Sequence, residues 1–425
     1  MIIQPRELQI ARLGQRGEGI AFGPAGPIYI PYALEGETIL ADIAGERGQL
    51  IEILKPSPNR IPSFCPHYGI CGGCAVQGLA AAAYAAWKRD LVTSALNHAG
   101  IVAKIDALVD AHGAGRRRAT FHVRFGSTGE AQVGFMKARA HDIVALDSCP
   151  VLMPQMARAL PAARAIAKVL HADRKPLDIL ATATLTGLDI DIKGHGSLTS
   201  VLAGELMRVA ETHDLARLSN HGVLVIERRA PILRMGKVEV SPPPGTFLQA
   251  TEEGEIALAG TVTTHFAGTR RVLDLFAGVG TFSLRLAAST QVHAVDNNAA
   301  ALAALARAAR RRSELRPVTV ETRDLFRRPF VATELTAYDA VIFDPPRAGA
   351  EAQAQALAGS AVPLVAAVSC NPASFARDVA LLVAGGYAVE SITPFDQFRH
   401  SPHIEIGAIL RRSEKKPRRN RRLLI

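Results

Sequence analysis

The chain has 425 residues, more than one hydrophobic core usually serves, so two or three domains are expected. Its 48% hydrophobic content is ample for burial, yet no run reaches the roughly 18 apolar residues of a membrane span, and the opening MIIQPRELQIARLG lacks a signal-peptide pattern. Five cysteines make a secreted disulfide framework an unsuitable reading and point to the cytoplasm, while the net charge of +10 suggests a polyanionic partner.

Residues 1–55 alternate short β-rich runs with glycine turns: Leu8 to Leu13, Gly17-Glu18-Gly19, Ile28 to Ile30, Thr38 to Ile43 and Gln49 to Leu54. Strands this short and evenly spaced predict a small barrel, closed by a linker at Lys55-Pro56-Ser57-Pro58-Asn59. The second segment, residues 56–235, opens on a cysteine cluster and continues with a helix from Leu79 to about Ala99. Strand-like pieces follow at Thr120–Phe125, Gln132–Phe135 and Ala183–Ile192; this mixed α+β pattern specifies no topology. Residues 236–412 are the most regular. Strand-like runs end at Phe276, Asp296, Asp324, Asp344 and Cys370, each before a helix-compatible stretch, as in a parallel α/β sheet with crossover helices. Two last runs, Tyr387–Ile392 and His403–Leu410, are joined by a loop and so are expected to be antiparallel. The basic tail, 413–425, ends the chain. The last fifteen residues hold +7 of the net charge, suited equally to loose phosphate contact and to a solubilising terminus.

The stretch LDLFAGVGTFS, residues 273–283, reads as strand, glycine turn and helix start. Its glycines, Gly278 and Gly280, let backbone approach a ligand, but they do not spell the dinucleotide G-x-G-x-x-G. Asp296, ending the next strand, is placed to accept hydrogen bonds from a ribose diol. Together with Asp344-Pro345-Pro346-Arg347, these elements match the S-adenosyl-L-methionine site of class I methyltransferases.

Cys370, in Val-Ser-Cys-Asn-Pro at a predicted strand end, has two readings. Alone, such a thiol is usually a small buried hydrophobe. Beside a methyl donor it has a chemical use, because C5 of a pyrimidine is too weak a nucleophile to attack a sulfonium methyl unaided. Addition of a thiolate to C6 activates C5, and a base then removes the C5 proton. The thiol should therefore have a lowered pKa. Glu405, on the last strand, is the candidate base.

The matching residues Phe247-Leu248-Gln249, LDLFAGVGTFSL, Asp344-Pro-Pro-Arg347, Val368-Ser-Cys-Asn-Pro372 and Phe395-Asp-Gln-Phe-Arg-His400 through Glu405 resemble the RNA 5-methyluridine methyltransferase family over essentially the whole chain. The resemblance implies Cys370 as nucleophile and Glu405 as base. It also places Gln249, Phe276, Gly278, Asp296 and Asp344 around cofactor and target base, with Thr281 and Asp324 at further cofactor positions. Thr251, Asp296, Arg399 and Ser401 depart from the residues usual in the family, and Asp296 for the common Glu bears on cofactor affinity. Cys65-x5-Cys71-x2-Cys74 with distant Cys149 offers four thiolates, which suit zinc or an iron–sulfur cluster; spacing does not separate the two. The resemblance implies a [4Fe-4S] cluster. It likewise makes residues 1–55 similar to a TRAM domain, a small RNA-binding barrel. Barrel plus cluster resembles the 23S ribosomal RNA enzymes more than the tRNA enzymes, so a monomer acting on ribosomal RNA is expected, with tRNA as alternative.

Other classes fit less well. Radical methylthiotransferases combine the same parts but need C-x3-C-x2-C, and Cys65 and Cys71 have five residues between them. An amino-group methyltransferase would leave Cys370 idle, and a cytosine-5 enzyme would carry its cysteine beside the fourth-strand motif. A non-catalytic RNA-binding iron–sulfur protein has no use for Cys370 and Glu405.

Overall fold

A computed structural model describes residues 5–126, 129–138 and 140–413; the basic tail from 414 onward lies outside the described residues. The N-terminal segment forms a six-stranded sheet from Arg6–Gln9, Arg12–Leu13, Glu18–Gly23, Gly26–Pro31, Thr38–Ala44 and Arg47–Lys55. The run expected as one strand, Leu8–Leu13, is broken. The Ile10 N–H donates to Glu37 O and the Ala11 N–H to Ile20 O, both at 2.8 Å, so the chain changes partner between Gln9 and Arg12. The two outer strands of the sheet are thus consecutive in the chain, which curls the sheet around Ile10, Ile28, Ile30, Ile39 and Ala41. Glu37, wholly buried, secures the linker: it takes Arg60 Nε at 2.5 Å and the backbone N–H groups of Leu34 and Ser57. Burial alone would raise its carboxyl, but Arg60 and those N–H groups hold it below the usual range.

A second sheet has seven strands, in the order Val223–Glu227, Leu215–Asn220, Gly187–Lys193, Leu177–Thr184, Arg118–Phe125, Ala131–Met136 and Ile143–Ala145. The single strand expected over 183–192 is the inner part of a hairpin, with Thr184 opposite Gly187. Gly187, at φ +131°, makes the reversal that hydrophobic patterning overlooks. Gly187–Lys193 and Leu215–Asn220 are parallel, and helix Ser200–Thr212 supplies the crossover they need. That helix and Ala159–Val169 bury Leu206, Ala162 and Ile166 against Phe121, Ile179 and Ile190.

The third sheet has the order Val318–Thr322, Gln291–Asp296, Arg271–Leu275, Ala340–Phe343, Leu364–Ser369, Glu405–Arg412 and Tyr387–Phe395. Its first five strands are parallel, and Glu405–Arg412 lies antiparallel between Leu364–Ser369 and Tyr387–Phe395. The strand order reverses at Arg271–Leu275, whose two neighbours, Gln291–Asp296 and Ala340–Phe343, both follow it in the chain and lie on its opposite sides, and such a switch point opens a crevice at the strand C-termini.

Two segments upstream join this third body. Helix Ala81–His98 and the strip after it put Val92, Leu96 and Ile105 into one core with Leu273, Val341 and Phe375. The strip then runs along Tyr387–Phe395, with Asp106 N–H on Ile392 O and Val109 N–H on Pro394 O, each at 2.9 Å. Residue 235 falls in a hairpin, Leu233–Met235 with Val238–Val240, which packs on Leu284, Leu302 and Leu305 of the same body. Among the described residues no helix is long and apolar enough to cross a membrane.

Candidate active site

The third sheet delivers its strand ends to one cavity of about 560 Å³. Strand Arg271–Leu275 passes into Phe276, held at φ +62°, a left-handed conformation costly for a bulky side chain. Gly278 follows at φ +54° with open space where a Cβ would stand, so its backbone faces the cavity. Gly280 has a different reason: a Cβ there would meet Leu305 and Leu284 at 2.9–3.0 Å. The Gly278 N–H donates to Asp296 Oδ2 at 2.9 Å and the Asn298 N–H to Oδ1 at 2.8 Å. Those bonds orient the carboxylate toward the cavity and leave lone pairs for a diol.

Cys370 stands immediately after strand Leu364–Ser369. Asn371 caps the next helix, Pro372–Ala384, its side chain accepting from the Ala373 N–H, and Pro372 occupies the first helical position. The Asn-Pro pair therefore turns the chain sharply and leaves Cys370 half-buried in the cavity wall. Glu405 begins the antiparallel strand paired directly with Leu364–Ser369 and is 3% exposed. Phe276, Gly278, Asp296, Asp344, Arg347, Cys370, His403 and Glu405 share the cavity.

Gln249 is buried beside these groups, its Nε2 donating to Asp344 Oδ2 at 3.0 Å. Thr281 and Asp324 do not line the cavity. The Thr281 carbonyl accepts from Arg285 at 2.7 Å, and Asp324 Oδ1 accepts from the Phe326 and Arg327 N–H groups, while Arg323, Leu325 and Phe326 are the lining residues there.

Gln397 was given no role by sequence, yet it joins the site together. Its Nε2 donates to Glu405 Oε2 at 2.8 Å and to Gln249 Oε1 at 2.7 Å, and its Oε1 accepts from the Ala250 N–H at 2.9 Å. A glutamine beside the base motif was a visible signal, but its partner Gln249 is 148 residues away. Asp274, also unnoticed, lies wholly buried at the end of its strand, taking Ser283 Oγ at 2.5 Å; burial raises its carboxyl to about 7.

The charges correct one expectation. Cys370 has no lowered pKa: burial, then the nearby Glu405 and Asp344 carboxyls, push the thiol up to about 11, and Arg347 opposes them only in part. Burial and Asp344 likewise raise Glu405 well above the usual carboxylate range, against the Gln397 hydrogen bond, and burial raises Asp344. Two buried carboxyls in one cavity resist simultaneous ionisation, so the pair retains a proton near neutrality.

A second cavity, about 390 Å³, is lined by Cys65, Cys71, Cys74 and Cys149, together with Tyr68 and Arg116. None of the four is in a disulfide. Burial pushes the Cys149 thiol up to about 11, and Cys74, Cys71 and Cys65 all add to the shift, so the four lie within electrostatic reach of one another. Among the described residues, no group of three or more His, Cys, Asp or Glu side chains is arranged to hold a metal ion. Phe247 and Phe398 line both cavities and form a common wall, with the Arg116 guanidinium 5.4 Å from the Phe398 ring and that of Arg118 5.7 Å from Phe247.

Comparison with known proteins identifies the family. The tRNA (Uracil-5-)-methyltransferase family profile matches residues 255–413. A Brucella suis protein named an uncharacterized RNA methyltransferase is 44% identical over 95% of this chain and 97% of its own. A Chromohalobacter salexigens 23S rRNA (uracil(1939)-C(5))-methyltransferase is 33% identical over 97% of this chain and 90% of its own. Among solved structures, Pyrococcus abyssi tRNA (uracil-54, C5)-methyltransferase in complex with S-adenosyl-L-homocysteine superposes with a TM-score of 0.72 at 21% identity, covering 95% of this chain and 99% of that one. That likeness extends the shared fold across all three sheets. With identity of this order sustained over nearly the full length of both chains, the protein belongs to the RNA uracil-C5-methyltransferase family.

Proposed function

We propose that this methyltransferase acts on a uridine of 23S ribosomal RNA by covalent catalysis, with Cys370 as nucleophile and Glu405 as the base. The observation that carries the reading is the convergence of Cys370, Asp344 and Glu405 on the cavity that also receives Gly278 and Asp296. S-adenosyl-L-methionine supplies a methyl group on a cationic sulfonium. The chain's own groups account for the rest. The Cys370 proton passes to solvent, and Sγ forms a bond to C6. The C5=C6 electron pair moves to the carbonyl side, then returns through C5 to the methyl carbon as the S–CH3 bond breaks, its electron pair remaining on sulfur to leave the neutral thioether. Glu405 then removes the C5 proton, the double bond re-forms and the C6–S bond breaks with its electron pair leaving on sulfur, returning the Cys370 thiolate, which takes a proton from solvent. A raised carboxyl pKa makes Glu405 the stronger base once ionised.

Ribosomal RNA is favoured by the 33% identical relatives named as 23S rRNA enzymes; the solved relative named for tRNA shares only the fold at 21%. Mapping 5-methyluridine in RNA from a deletion strain tests the choice: one 23S position should lose its methyl group, and loss confined to tRNA would overturn it. A methyl-transfer assay with Cys370→Ala tests the nucleophile.

The curled sheet of residues 5–55 is read as a TRAM-type RNA-docking unit, and the four cysteines as the ligands of a [4Fe-4S] cluster. What supports the cluster is the donor set, four free thiols lining one cavity, together with the family resemblance. Cys65, Cys71, Cys74 and Cys149 would each bind one iron as thiolate, and the transfer chemistry requires no electron from it. Iron and acid-labile sulfide content, lost on Cys149→Ser, decides this assignment.

A further inference from the structure

Lys88 is wholly buried, a rare state for a lysine, and it comes from helix Ala81–His98 rather than from the methyltransferase sheet. Its ammonium has three protons and finds three acceptors: Asp396 Oδ1 at 2.9 Å, Phe398 O at 3.4 Å and His403 O at a shorter distance. All three lie in the loop between strands Tyr387–Phe395 and Glu405–Arg412. Asp396 and Phe398 belong to its start and His403 to its end, so one cation draws the two halves together. Tyr84 of the same helix adds a parallel tie, its Oη donating to Asp396 Oδ2 at 2.7 Å and accepting the His400 N–H at 2.9 Å.

The stapled loop carries the base machinery. Gln397 sits between the anchored residues Asp396 and Phe398, and Glu405, two residues after His403, stands opposite Phe395 in the strand pairing. The Gln397–Glu405 bond thus spans the loop that Lys88 closes from behind. A buried ion pair is a poor device for stability, because taking both charges out of water offsets their attraction; fixing geometry is its better-attested use. Burial lowers the Lys88 ammonium to about 8 even with Asp396 beside it, the sign of that cost.

We propose that Lys88 is a positioning residue for C5 deprotonation, holding Gln397 and Glu405 where the base meets the substrate. This rests on the reading of Glu405 as the base. The prediction separates one step from the others. Addition of Cys370 and methyl transfer do not use Glu405 as base, whereas release of the methylated product does. With ordinary uridine RNA and S-adenosyl-L-methionine, Lys88→Met should therefore accumulate a covalent, methylated RNA–protein adduct, with release slowed about 10- to 100-fold. The rate of adduct formation on 5-fluorouridine RNA, which has no C5 proton to remove, should stay within about threefold of wild type.

Because Lys88→Met leaves Asp396 buried without its partner, Lys88→Met/Asp396→Asn is measured alongside, with thermal melting to report folding; the same accumulation is expected. A parallel fall in adduct formation and release in whichever variant folds, or no accumulation in either, overturns the proposal. Glu405→Gln separates it from the reading beneath. If Glu405→Gln accumulates adduct and the Lys88 variants do not, the positioning role alone is wrong. If Glu405→Gln accumulates none, the base assignment fails and the proposal with it.

Discussion

The two cavities meet at Phe247 and Phe398 but are built in opposite ways. The catalytic cavity takes its reactive groups from the ends of a parallel sheet, where topology alone brings Phe276, Asp296, Asp344 and Cys370 to one rim. The cysteine cavity takes its thiols from irregular chain, with Cys65, Cys71 and Cys74 outside any strand or helix and Cys149 after Ile143–Ala145. A rigid sheet holds chemistry in place without a cofactor's help, whereas a loop-built site depends more on what it binds for its shape. Damage to the first should abolish the reaction, and damage to the second should disturb RNA docking and folding while leaving the chemistry intact.

The largest expected effect is at the sheet. Cys370→Ala should reduce methyl transfer by at least about a thousandfold, because Cys370 is the one thiol among the described residues lining the cavity. Next comes the response to pH. With the Cys370 thiol pushed up to about 11, the thiolate is the minor form at neutrality and its fraction rises with pH. Single-turnover adduct formation should accordingly climb about tenfold per unit from pH 7 toward pH 9. A flat profile across that range would mean that bound substrates, the cationic sulfonium among them, lower the thiol far more than the protein raises it.

Asp296→Ala should raise the KM for S-adenosyl-L-methionine about tenfold with a smaller change in kcat, read from initial rates at saturating RNA, since it removes charge-assisted hydrogen bonds to a group distant from the reacting atoms. The smallest effect is expected at the second cavity. Cys149→Ser should eliminate bound iron yet leave adduct formation on a short 5-fluorouridine RNA within about tenfold, equivalent to about 1.4 kcal/mol. If it reduced the chemical step as severely as Cys370→Ala, the contrast between the cavities would be broken.

Legibility in the sequence follows the same division. The glycine turn, Asp296, Asp344 and Cys370 could be read because each lies at the end of an apolar run, and a parallel sheet converts that local position into a shared rim. Thr281 and Asp324 come from the family resemblance rather than from this pattern; the Thr281 carbonyl accepts from Arg285 and the Asp324 carboxylate from a local turn, outside the cavity lining. Lys88 and Gln397 were not legible. Lys88 looks like an ordinary helix-surface lysine until its partner Asp396, 308 residues away, is in place. Small reversals are also hidden: the break at Ile10–Ala11 and the hairpin at Gly187 both fall inside β-rich runs that read as single strands, marked only by a shift in the phase of the alternation. Nor did composition reveal that residues 81–112, upstream of the second sheet, pack with the third.

The central claim, that this chain acts through a covalent bond between Cys370 and C6 of a uridine, has one direct measurement. Incubation with 5-fluorouridine-containing 23S rRNA fragments and S-adenosyl-L-methionine, followed by nuclease and protease digestion and mass spectrometry, locates the attached nucleotide. The account predicts a methylated fluorouridine on the peptide containing Cys370, absent from Cys370→Ala. An adduct on another cysteine, or full methylation of uridine by Cys370→Ala, would contradict it.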